Sequence, residues 1–358
     1  MEQEISVPEL SGTENNIRTR VLTGDEAGVA EAAALLRAGQ LVGIPTETVY
    51  GLAADARSEQ AVAAIFTAKG RPQDNPLIVH IAELEELDGV ARDVPAAAYA
   101  LAKAFWPGPL TMVLPRGKSI PASVSAGLDT VAVRMPSHPV ARAILKASGL
   151  PLAAPSGNLS GRPSPTTAEY MRQDMEGRVP LIVDGGACGV GVESTVVTLC
   201  TAQPTVLRPG AVTARQLSDV LGCEVLLSHA ITEGLREGEK AASPGMKYKH
   251  YAPKAQVTLV TADSRQYTEY VNAHAAPGVM ALCFEEDAAA LQLPYIVYGG
   301  AARPEEQAQH VFTALRQLDE QGAVTVLAHC PEKDGVALAV YNRLLRAAAF
   351  RVIDLTCA

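Results

Sequence analysis

Residues 69–80 read KGRPQDNPLIVH, and they join a predicted helix to a predicted buried strand. Gly70 can end the helix, and Pro72 cannot continue it. After a polar turn, the apolar run 77–79 predicts a strand that ends at His80. Two permanent cations, an amide and an imidazole are thereby held between a helix end and a strand end. This arrangement suits a polyanion beside a smaller polar ligand, although a solvated basic turn explains the stretch equally well by itself.

The composition favours two α/β domains. The chain has 358 residues, which is long for one domain and comfortable for two. Its hydrophobic fraction of 48% is enough for full cores, and its aromatic fraction of 4% argues against an aromatic β-sandwich. The formal net charge of -9 weighs against a nucleic-acid scaffold, which would need a broad basic surface. A local cationic pocket is still compatible with this charge.

Cysteine usage and the N-terminus indicate a cytoplasmic protein. The six cysteines are dispersed and contain no C-x-x-C pair, so neither a zinc site nor a disulfide framework is expected. The polar, acidic N-terminal segment does not resemble a signal peptide. No apolar run approaches the ~20 residues that a membrane helix needs. We therefore expect a reducing compartment and no membrane partner.

Helix and strand patterns alternate outward from the opening stretch. In the first part, helices are predicted at 24–40, 60–68, 96–105, 139–148, 167–175 and 214–221, and strands at 41–44, 77–79, 110–114, 130–135, 152–154 and 181–184. A further strand is predicted to start at 193–195, and another to end at Arg208. In the last part, strands at 256–260, 278–284, 295–298, 323–328 and 351–355 alternate with helices at 265–274, 304–321 and 336–350. In this last part, such alternation predicts a mainly parallel sheet covered on both faces.

The charged, Pro- and Gly-marked segment between these parts predicts four regions. They are a flexible tail at 1–17, a first α/β domain at 18–222, a linker at 223–253 and a smaller α/β domain at 254–358. The linker carries aromatic and basic side chains, which suit a lid over a bound anion. In the smaller domain no convergent polar cluster is predicted, and Asn342 and Arg343 are expected on the surface.

Polar residues at strand ends are the first candidates for a site. Thr46-Glu47-Thr48 follows a short buried strand, where α/β sheets bind ligands, although such hydroxyls also cap ordinary turns. Arg134 lies within a buried strand and needs an anionic partner, either a bound carboxylate or an internal acidic residue. Trp106, at a Pro-Gly corner, is expected to fill a packing space.

A loop rich in serine and glycine is the second candidate. Residues 156–162 precede a predicted helix N-terminus, and exposed amides with small side chains suit phosphate. A flexible connector has the same composition. Neither a Walker A loop nor a well-placed G-x-G-x-x-G is present.

Eight strings in one order carry a family resemblance. They are PTETVYGLAADA, KGRPQDNPLIVHI, WPGPLT, GLDTVAVRMPSHP, APSGNLSGRPSPT, GVESTVV, LRPG and SPGMKYKHYAP. Together they resemble the YrdC-type L-threonylcarbamoyladenylate synthases, also called threonylcarbamoyl-AMP synthases, in their long two-domain form. The likeness is dense over 25–215 and returns at 243–253, whereas the last domain matches by position and coarse pattern. It implies a YrdC-like twisted α/β sheet with a deep basic cavity.

The resemblance also implies an activity. The family joins L-threonine, bicarbonate or carbon dioxide, and ATP into threonylcarbamoyl-AMP and releases pyrophosphate, with magnesium assisting. The product serves modification of the adenosine next to the anticodon, through downstream tRNA threonylcarbamoyl transferase machinery. Direct binding of tRNA to this chain is left open.

Site residues follow from the same resemblance. Four positions resemble the threonine site, namely Thr46, His80, Arg134 and Ser194. Nine resemble the ATP site, namely Lys69, Arg71, Asn75, Thr130, Ala154, Ser156, Ser164, Arg208 and Tyr251. Lys69, Arg71 and Arg208 are expected to neutralise phosphate charge in catalysis, and no protein metal ligand is expected. With no obvious covalent nucleophile, catalysis should rest on binding and orientation.

Two other functions fit part of the same pattern. One is a module that binds nucleotide or double-stranded RNA without synthesis. The other is a carbamoyl transferase that uses carbamoyl phosphate in place of bicarbonate.

Overall fold

Two β-sheets, one of eleven strands and one of five, organise the chain. The computed structural model describes residues 17–234 and 251–356. All but the last residue of the predicted tail lie outside these ranges. Residues 235–250 of the predicted linker and lid also lie outside them.

The first sheet contains the strands β1 (Arg20–Thr23), β2 (Val42–Ile44), β3 (Gly51–Asp55), β4 (Ile78–His80), β5 (Leu110–Pro115), β6 (Thr130–Arg134), β7 (Leu152–Ala153), β8 (Leu181–Asp184), β9 (Thr195–Thr198), β10 (Thr205–Arg208) and β11 (Leu226–Leu227). Its helices are α1 (Glu26–Arg37), α2 (Glu59–Lys69), α3 (Leu87–Val90), α4 (Ala96–Phe105), α5 (Pro139–Ser148), α6 (Ala168–Met175) and α7 (Ala214–Leu221). Short 3-10 turns stand at Leu84–Glu86 and His229–Ile231.

The opening stretch leads into the middle of this sheet. The strand order is β1-β8-β2-β3-β7-β4-β6-β5-β9-β10-β11, with parallel and antiparallel neighbours mixed. β4 runs parallel to β6, and their register pairs His80 with Arg134. β5 runs antiparallel to β6 and pairs Thr111 with Arg134. The polar residues that the sequence singled out on β4 and β6 therefore lie side by side.

α2 ends where the sequence predicts. Its N-cap Ser58 accepts a hydrogen bond from the amide of Ala61, and Gly70 closes it in a left-handed conformation with φ of 58°. Glycine has no β-carbon, so it adopts this conformation without steric cost. Val62 and Ile65 of helix α2 are buried in the hydrophobic core. The chain thus leaves the helix at Lys69 and turns sharply toward β4.

The second sheet is entirely parallel, as the alternation predicted. Its strands are β12 (Gln256–Thr261), β13 (Val279–Cys283), β14 (Tyr295–Val297), β15 (Thr325–His329) and β16 (Val352–Asp354), in the order β14-β13-β15-β12-β16. Its helices are α8 (Ser264–Ala273), α9 (Glu285–Ala288), α10 (Pro304–Glu320) and α11 (Ala337–Ala347).

Three strands of the first sheet, β1, β3 and β11, were not predicted. β1 is an edge strand with mostly exposed residues, so it lacks the apolar alternation that marks a strand. β3 is built from glycine, leucine, alanine and aspartate, and glycine and alanine have low strand propensity. β11 lies beyond Gly222, where the sequence placed the end of the first domain, and still pairs with β10.

Trp106 fills a packing space as predicted, because it is 8% exposed and its indole donates to the Leu110 carbonyl.

The prediction that Asn342 and Arg343 lie on the surface was wrong. Every residue of α11 is buried. Asn342 donates to the carbonyl of Ile231 at 2.7 Å, and Arg343 forms an ion pair with Glu193 at 3.0 Å. The helix packs between its own sheet and the first domain, so its polar side chains find their partners across the interface.

The second domain also contains a polar cluster that the sequence did not reveal. The Asp287 carboxylate accepts from Ser264 at 2.5 Å and lies 2.7 Å from Nδ1 of His329. Nε2 of His329 lies 3.0 Å from the carbonyl of Ala262. These groups satisfy one another, and they join the carboxyl ends of β12 and β15 to the start of α9.

Candidate functional site

A cavity opens at the carboxyl ends of β4, β6 and β10. It is lined by Thr46, Thr48, Val49, Gly51, Arg71, Ile78, His80, Arg134, Ala154, Pro155, Ser156, Glu193, Ser194, Arg208 and Tyr251. Three arginines give it the basic character that the family resemblance implied. The cavity gathers every residue expected for threonine and, from the ATP set, Arg71, Ala154, Ser156, Arg208 and Tyr251. Lys69, Asn75, Thr130 and Ser164 do not line it.

Arg134 is fixed by three polar contacts. One terminal nitrogen lies 2.7 Å from the Glu47 carboxylate, and the other donates to the Thr48 hydroxyl at 2.8 Å. Its Nε donates to the carbonyl of Gly108 at 3.2 Å. Of the two partners that the sequence allowed for Arg134, the protein itself therefore supplies the acidic side chain.

Glu47 was missed as a site residue, although it stands inside the polar triplet 46–48. Burial raises the pKa of this carboxyl, but the charge and hydrogen bond of Arg134 outweigh burial and hold the pKa below its ordinary value. Glu47 is therefore ionised at neutral pH. Arg134 and Glu47 form a buried pair of opposite charges beside the cavity.

His80 is neutral at the same place. It is 2% exposed, and its Nδ1 lies 3.2 Å from the carbonyl of Ile78. Burial, followed by the positive charge of Arg134, lowers the pKa of His80 to about 3. The imidazole can therefore offer hydrogen bonds without adding charge to the cavity.

Acid should destabilise the fold through His80. The unfolded chain takes up a proton below a pH of about 6.5, whereas the native imidazole resists protonation down to a pKa of about 3. The unfolded state binds more protons in that window, so the free energy of unfolding falls as pH decreases, by about 2 kcal/mol between pH 7.5 and 5. Urea titrations at both pH values should show that His80→Gln loses this part of the slope. His310→Gln, at an exposed histidine, should keep it, and equal slopes in wild type and His80→Gln would contradict the account.

Ser194 and Arg208 form the next contact of the site. Arg208 donates through Nε to the Ser194 carbonyl at 3.0 Å and through a terminal nitrogen to the Ser194 hydroxyl at 3.1 Å. That hydroxyl also bonds Thr111 at 2.7 Å. Burial lowers the pKa of Arg208 to about 10, so the guanidinium is still charged at neutral pH. A buried cation of this kind favours an anionic ligand.

Lys69 lies behind the serine-rich loop rather than in the cavity. Its ammonium donates to the carbonyls of Ser156 at 2.5 Å and Asn158 at 2.6 Å, and the residue is 3% exposed. Burial, followed by the charge of Arg71, lowers the pKa of Lys69 to about 7. In this arrangement the lysine anchors the loop, and direct contact of Lys69 with phosphate stays a prediction.

The other expected ATP residues outside the lining have different surroundings. Ser164 donates to the Glu193 carboxylate at 2.5 Å. Asn75 is fully buried, and its side-chain amide has no hydrogen-bond partner among the described residues. Thr130 stands half-buried at the start of β6, opposite Pro115. Their roles toward a nucleotide stay predictions.

Tyr251 reaches the cavity from the far side of the linker. It is 4% exposed, and its ring lies 5.1 Å from the ring of Phe312 on α10. Its φ of 62° is left-handed, which is uncommon for a residue with a side chain. Residues 235–250 of the predicted linker, which precede it, lie outside the described part of the chain.

Protein ligands for a metal are not assembled here. Within residues 17–234 and 251–356, no group of three or more His, Cys, Asp or Glu side chains could hold an ion. Glu47 and Glu193 are already paired with arginines. In the same ranges, no helix is long and apolar enough to cross a membrane.

Comparison with known proteins agrees with this geometry. The family model Sua5_yciO_yrdC, described as Telomere recombination, matches residues 34–210. A second model, described as Threonylcarbamoyl-AMP synthase, C-terminal domain, matches residues 212–349. The threonylcarbamoyl-AMP synthase of Bacillus subtilis is 44% identical over 340 residues, which are 94% of this chain and 97% of that protein. The Pyrococcus abyssi synthase is 42% identical over 346 residues, at 94% and 98% coverage.

A solved structure extends the likeness to three dimensions. The crystal structure of P. abyssi Sua5 complexed with L-threonine matches with a TM-score of 0.86 and 41% identity, covering 94% of this chain and 99% of that one. The fold and the cavity define an enzyme with a YrdC-like catalytic sheet. The chain belongs to the threonylcarbamoyl-AMP synthase family, as its eight sequence strings indicated. A binding module without synthesis is not favoured.

Proposed function

We propose that this chain condenses L-threonine, bicarbonate or carbon dioxide, and ATP into threonylcarbamoyl-AMP, with release of pyrophosphate. The main support for this proposal is that Arg134 and His80 line the same cavity as Arg71, Ser156 and Arg208. The first pair suits an amino acid and the second group suits a nucleotide phosphate. The names of the relatives and the threonine complex of the P. abyssi protein support the same assignment.

Charge makes one half of the cavity suitable for threonine. Arg134 is the buried cation that a substrate carboxylate would meet, with Thr46, His80 and Ser194 beside it in the lining. An arginine fork binds a carboxylate through two parallel hydrogen bonds. Glu47, 2.7 Å from Arg134 and outside the lining of the cavity, holds the guanidinium in place for that carboxylate.

Hydroxyls, amides and cations make the other half of the cavity suitable for a nucleotide. Ala154 and Ser156 follow β7, and Arg71 follows the end of α2. All three residues line the cavity. Arg208 enters from the end of β10. Together with Lys69 behind the loop, these cations would offset the phosphate charge of ATP. Magnesium, bound to the phosphates, would share that task.

The chemistry then asks chiefly for position. The threonine ammonium group first loses a proton to solvent, and the neutral amine then attacks carbon dioxide and releases a second proton to give a carbamate. A carbamate oxygen attacks the α-phosphorus of ATP and displaces pyrophosphate. The carbamate decomposes in water, so the reaction needs a shielded cavity. Holding the carbamate and the phosphate in line supplies much of the acceleration, and fixed cations stabilise the growing charge. Lys69, Arg71 and Arg208 are the residues we assign to that charge.

Pyrophosphate release tests the proposal. We expect release only when threonine, bicarbonate and ATP are all present, and less than about 5% of that rate when any one is omitted. Carbamoyl phosphate in place of bicarbonate should not restore the rate, which separates this enzyme from a carbamoyl transferase. Release that is unchanged without threonine, or restored by carbamoyl phosphate, would contradict the assignment. Binding of double-stranded RNA without turnover would favour the binding module instead.

The use of the product and the cellular compartment are also proposals. The product would feed the transferase machinery that modifies the adenosine next to the anticodon in tRNA. The cysteines in the described part are free, which fits a reducing cytoplasm. We retain residues 18–222 as the catalytic region, 223–253 as the linker with a lid, and 254–358 as the second domain.

A further inference from the structure

One side chain of the second domain contacts the loops that form the catalytic cavity. Arg343, on α11, is fully buried and lies 150 positions from its ion-pair partner Glu193. Its Nε contacts the Glu193 carboxylate at 3.0 Å, and its two terminal nitrogens donate to the carbonyls of Pro209 at 2.6 Å and Glu193 at 3.3 Å. One guanidinium therefore holds two loops of the first domain at once.

Both loops carry residues of the cavity. Glu193 precedes Ser194, and Pro209 follows Arg208, while Arg208 donates to both oxygens of Ser194. The contacts form a closed circuit from Arg343 through Glu193, Ser194, Arg208 and Pro209 back to Arg343. A shift of α11 would consequently move a predicted threonine residue and a predicted nucleotide residue together.

Arg343 also determines the charge that substrates meet. Glu193 lines the cavity, where an uncompensated carboxylate would repel a triphosphate. Burial raises the pKa of Glu193, but Arg343, followed by Arg208 and the Ser164 hydrogen bond, holds that pKa below its ordinary value. Within residues 17–234 and 251–356, the charged or titratable groups that face Glu193 are Arg343 on α11, Arg208 on β10, Lys69 at the end of α2, and Tyr251. Of these, Arg343 makes the ion pair.

We propose that Arg343 is a positioning residue of the catalytic site, contributed by the second domain. It holds Glu193 and Pro209 in place and cancels the carboxylate charge, so Ser194 and Arg208 meet the substrates in a fixed and net positive cavity. This inference rests on the proposed function, because ATP is the ligand that the charge would serve. It assigns the second domain a direct task in the geometry of the first.

A charge-rescue experiment tests the inference. In Arg343→Gln, Glu193 loses its cation, so its pKa rises and the carboxylate is ionised only at higher pH. We expect the KM for ATP to increase by about tenfold or more at pH 8.5, and by less than about threefold at pH 6, relative to wild type at the same pH. The ratio of variant to wild type cancels the shared groups that lie away from Glu193. Glu193→Gln is the reference for Lys69, because the charge of Glu193 raises the pKa of that lysine. Arg343→Lys, which keeps the charge without the fork, should fall between the two.

The double variant Glu193→Gln/Arg343→Gln keeps the test decisive if Arg343→Gln does not fold. It removes both charges of the ion pair and should fold, since neutral replacement of both partners is tolerated better than removal of one. Its KM for ATP should equal that of Glu193→Gln within about threefold at every pH. A merely structural role predicts instead a ratio independent of pH and no rescue in the double variant, and that result would overturn the inference.

A matched control comes from the same interface. Arg316 on α10 forms a buried ion pair with Asp174 at 2.6 Å and donates to the carbonyl of Pro163, and neither Arg316 nor Asp174 lines the cavity. Arg316→Gln should lower stability without a pH-dependent change in the KM for ATP. Binding of ATP by calorimetry accompanies each assay. Wild type without threonine-dependent pyrophosphate release would refute the proposed function, whereas calorimetry alone would still show or refute the pH-dependent effect of Arg343.

Discussion

Replacing Arg134 by methionine should raise the KM for threonine by about 100-fold or more, while the KM for ATP changes by less than about threefold. The guanidinium is buried at 3% exposure and fixed by Glu47, Thr48 and Gly108, so it is preorganised for a carboxylate. Methionine matches the volume of the stem but offers no donor. Pyrophosphate release measured against threonine concentration gives both constants.

Loss of fold must be separated from loss of binding. Arg134→Met leaves Glu47 buried without its cation, which costs about 3–5 kcal/mol of stability. The double variant Glu47→Gln/Arg134→Met removes that unpaired charge and should recover most of the stability. It should not recover threonine binding. Normal threonine saturation in the double variant would show that Arg134 does not bind the substrate.

The exposed pair of Arg172 and Glu169 provides the matched control. Arg172 and Glu169 lie 3.1 Å apart, and their side chains are 46% and 58% exposed. Exposed pairs contribute at most about 1 kcal/mol to stability, and neither residue lines the cavity. Arg172→Met should therefore keep both KM values within about twofold of wild type.

Replacing Lys69 by methionine is the second large effect we expect, a fall of about 100-fold or more in kcat/KM for ATP. The ammonium holds the carbonyls of Ser156 and Asn158 and adds positive charge behind the nucleotide half. Without it, two buried carbonyls lose their donor and the serine-rich loop loses its anchor. Assays across ATP concentration, with threonine and bicarbonate saturating, measure the loss.

Lys103 offers a close comparison for that variant. Both lysines stand in the last turn of a helix, Lys69 in α2 and Lys103 in α4, but Lys103 is exposed. Lys103→Met should be indistinguishable from wild type in kcat/KM. If Lys69→Met were equally active, the loop anchored by Lys69 would have no part in ATP use.

Local signals in the chain predicted the layers of the fold. Gly70 and Pro72 mark the end of α2, and the run before His80 marks β4, because backbone sterics and apolar burial act over a few residues. β1 and β3 were not predicted, because prediction depends on such local patterns. One is exposed at a sheet edge and the other is rich in alanine, so neither carries the pattern that identifies a strand.

The cavity residues could be named from the family strings, but their partners could not. The sequence left two partners open for Arg134, and the fold places Glu47 there. Arg343 gave no signal at all, since a polar residue on a helix is usually exposed and its partner lies in the other domain. Lys69 was expected to face phosphate, and only the packed loop shows its carbonyl partners. Long-range ion pairs depend on tertiary packing, which helix and strand patterns do not record.

The most direct measurement of the central claim follows one carbon atom. The enzyme is incubated with ATP, L-threonine and ¹³C-bicarbonate, and the adenylate is analysed by mass spectrometry. We predict threonylcarbamoyl-AMP that carries a single ¹³C in the carbamate, formed in equal amount to pyrophosphate. An adenylate without ¹³C, such as threonine joined directly to AMP, would contradict the account.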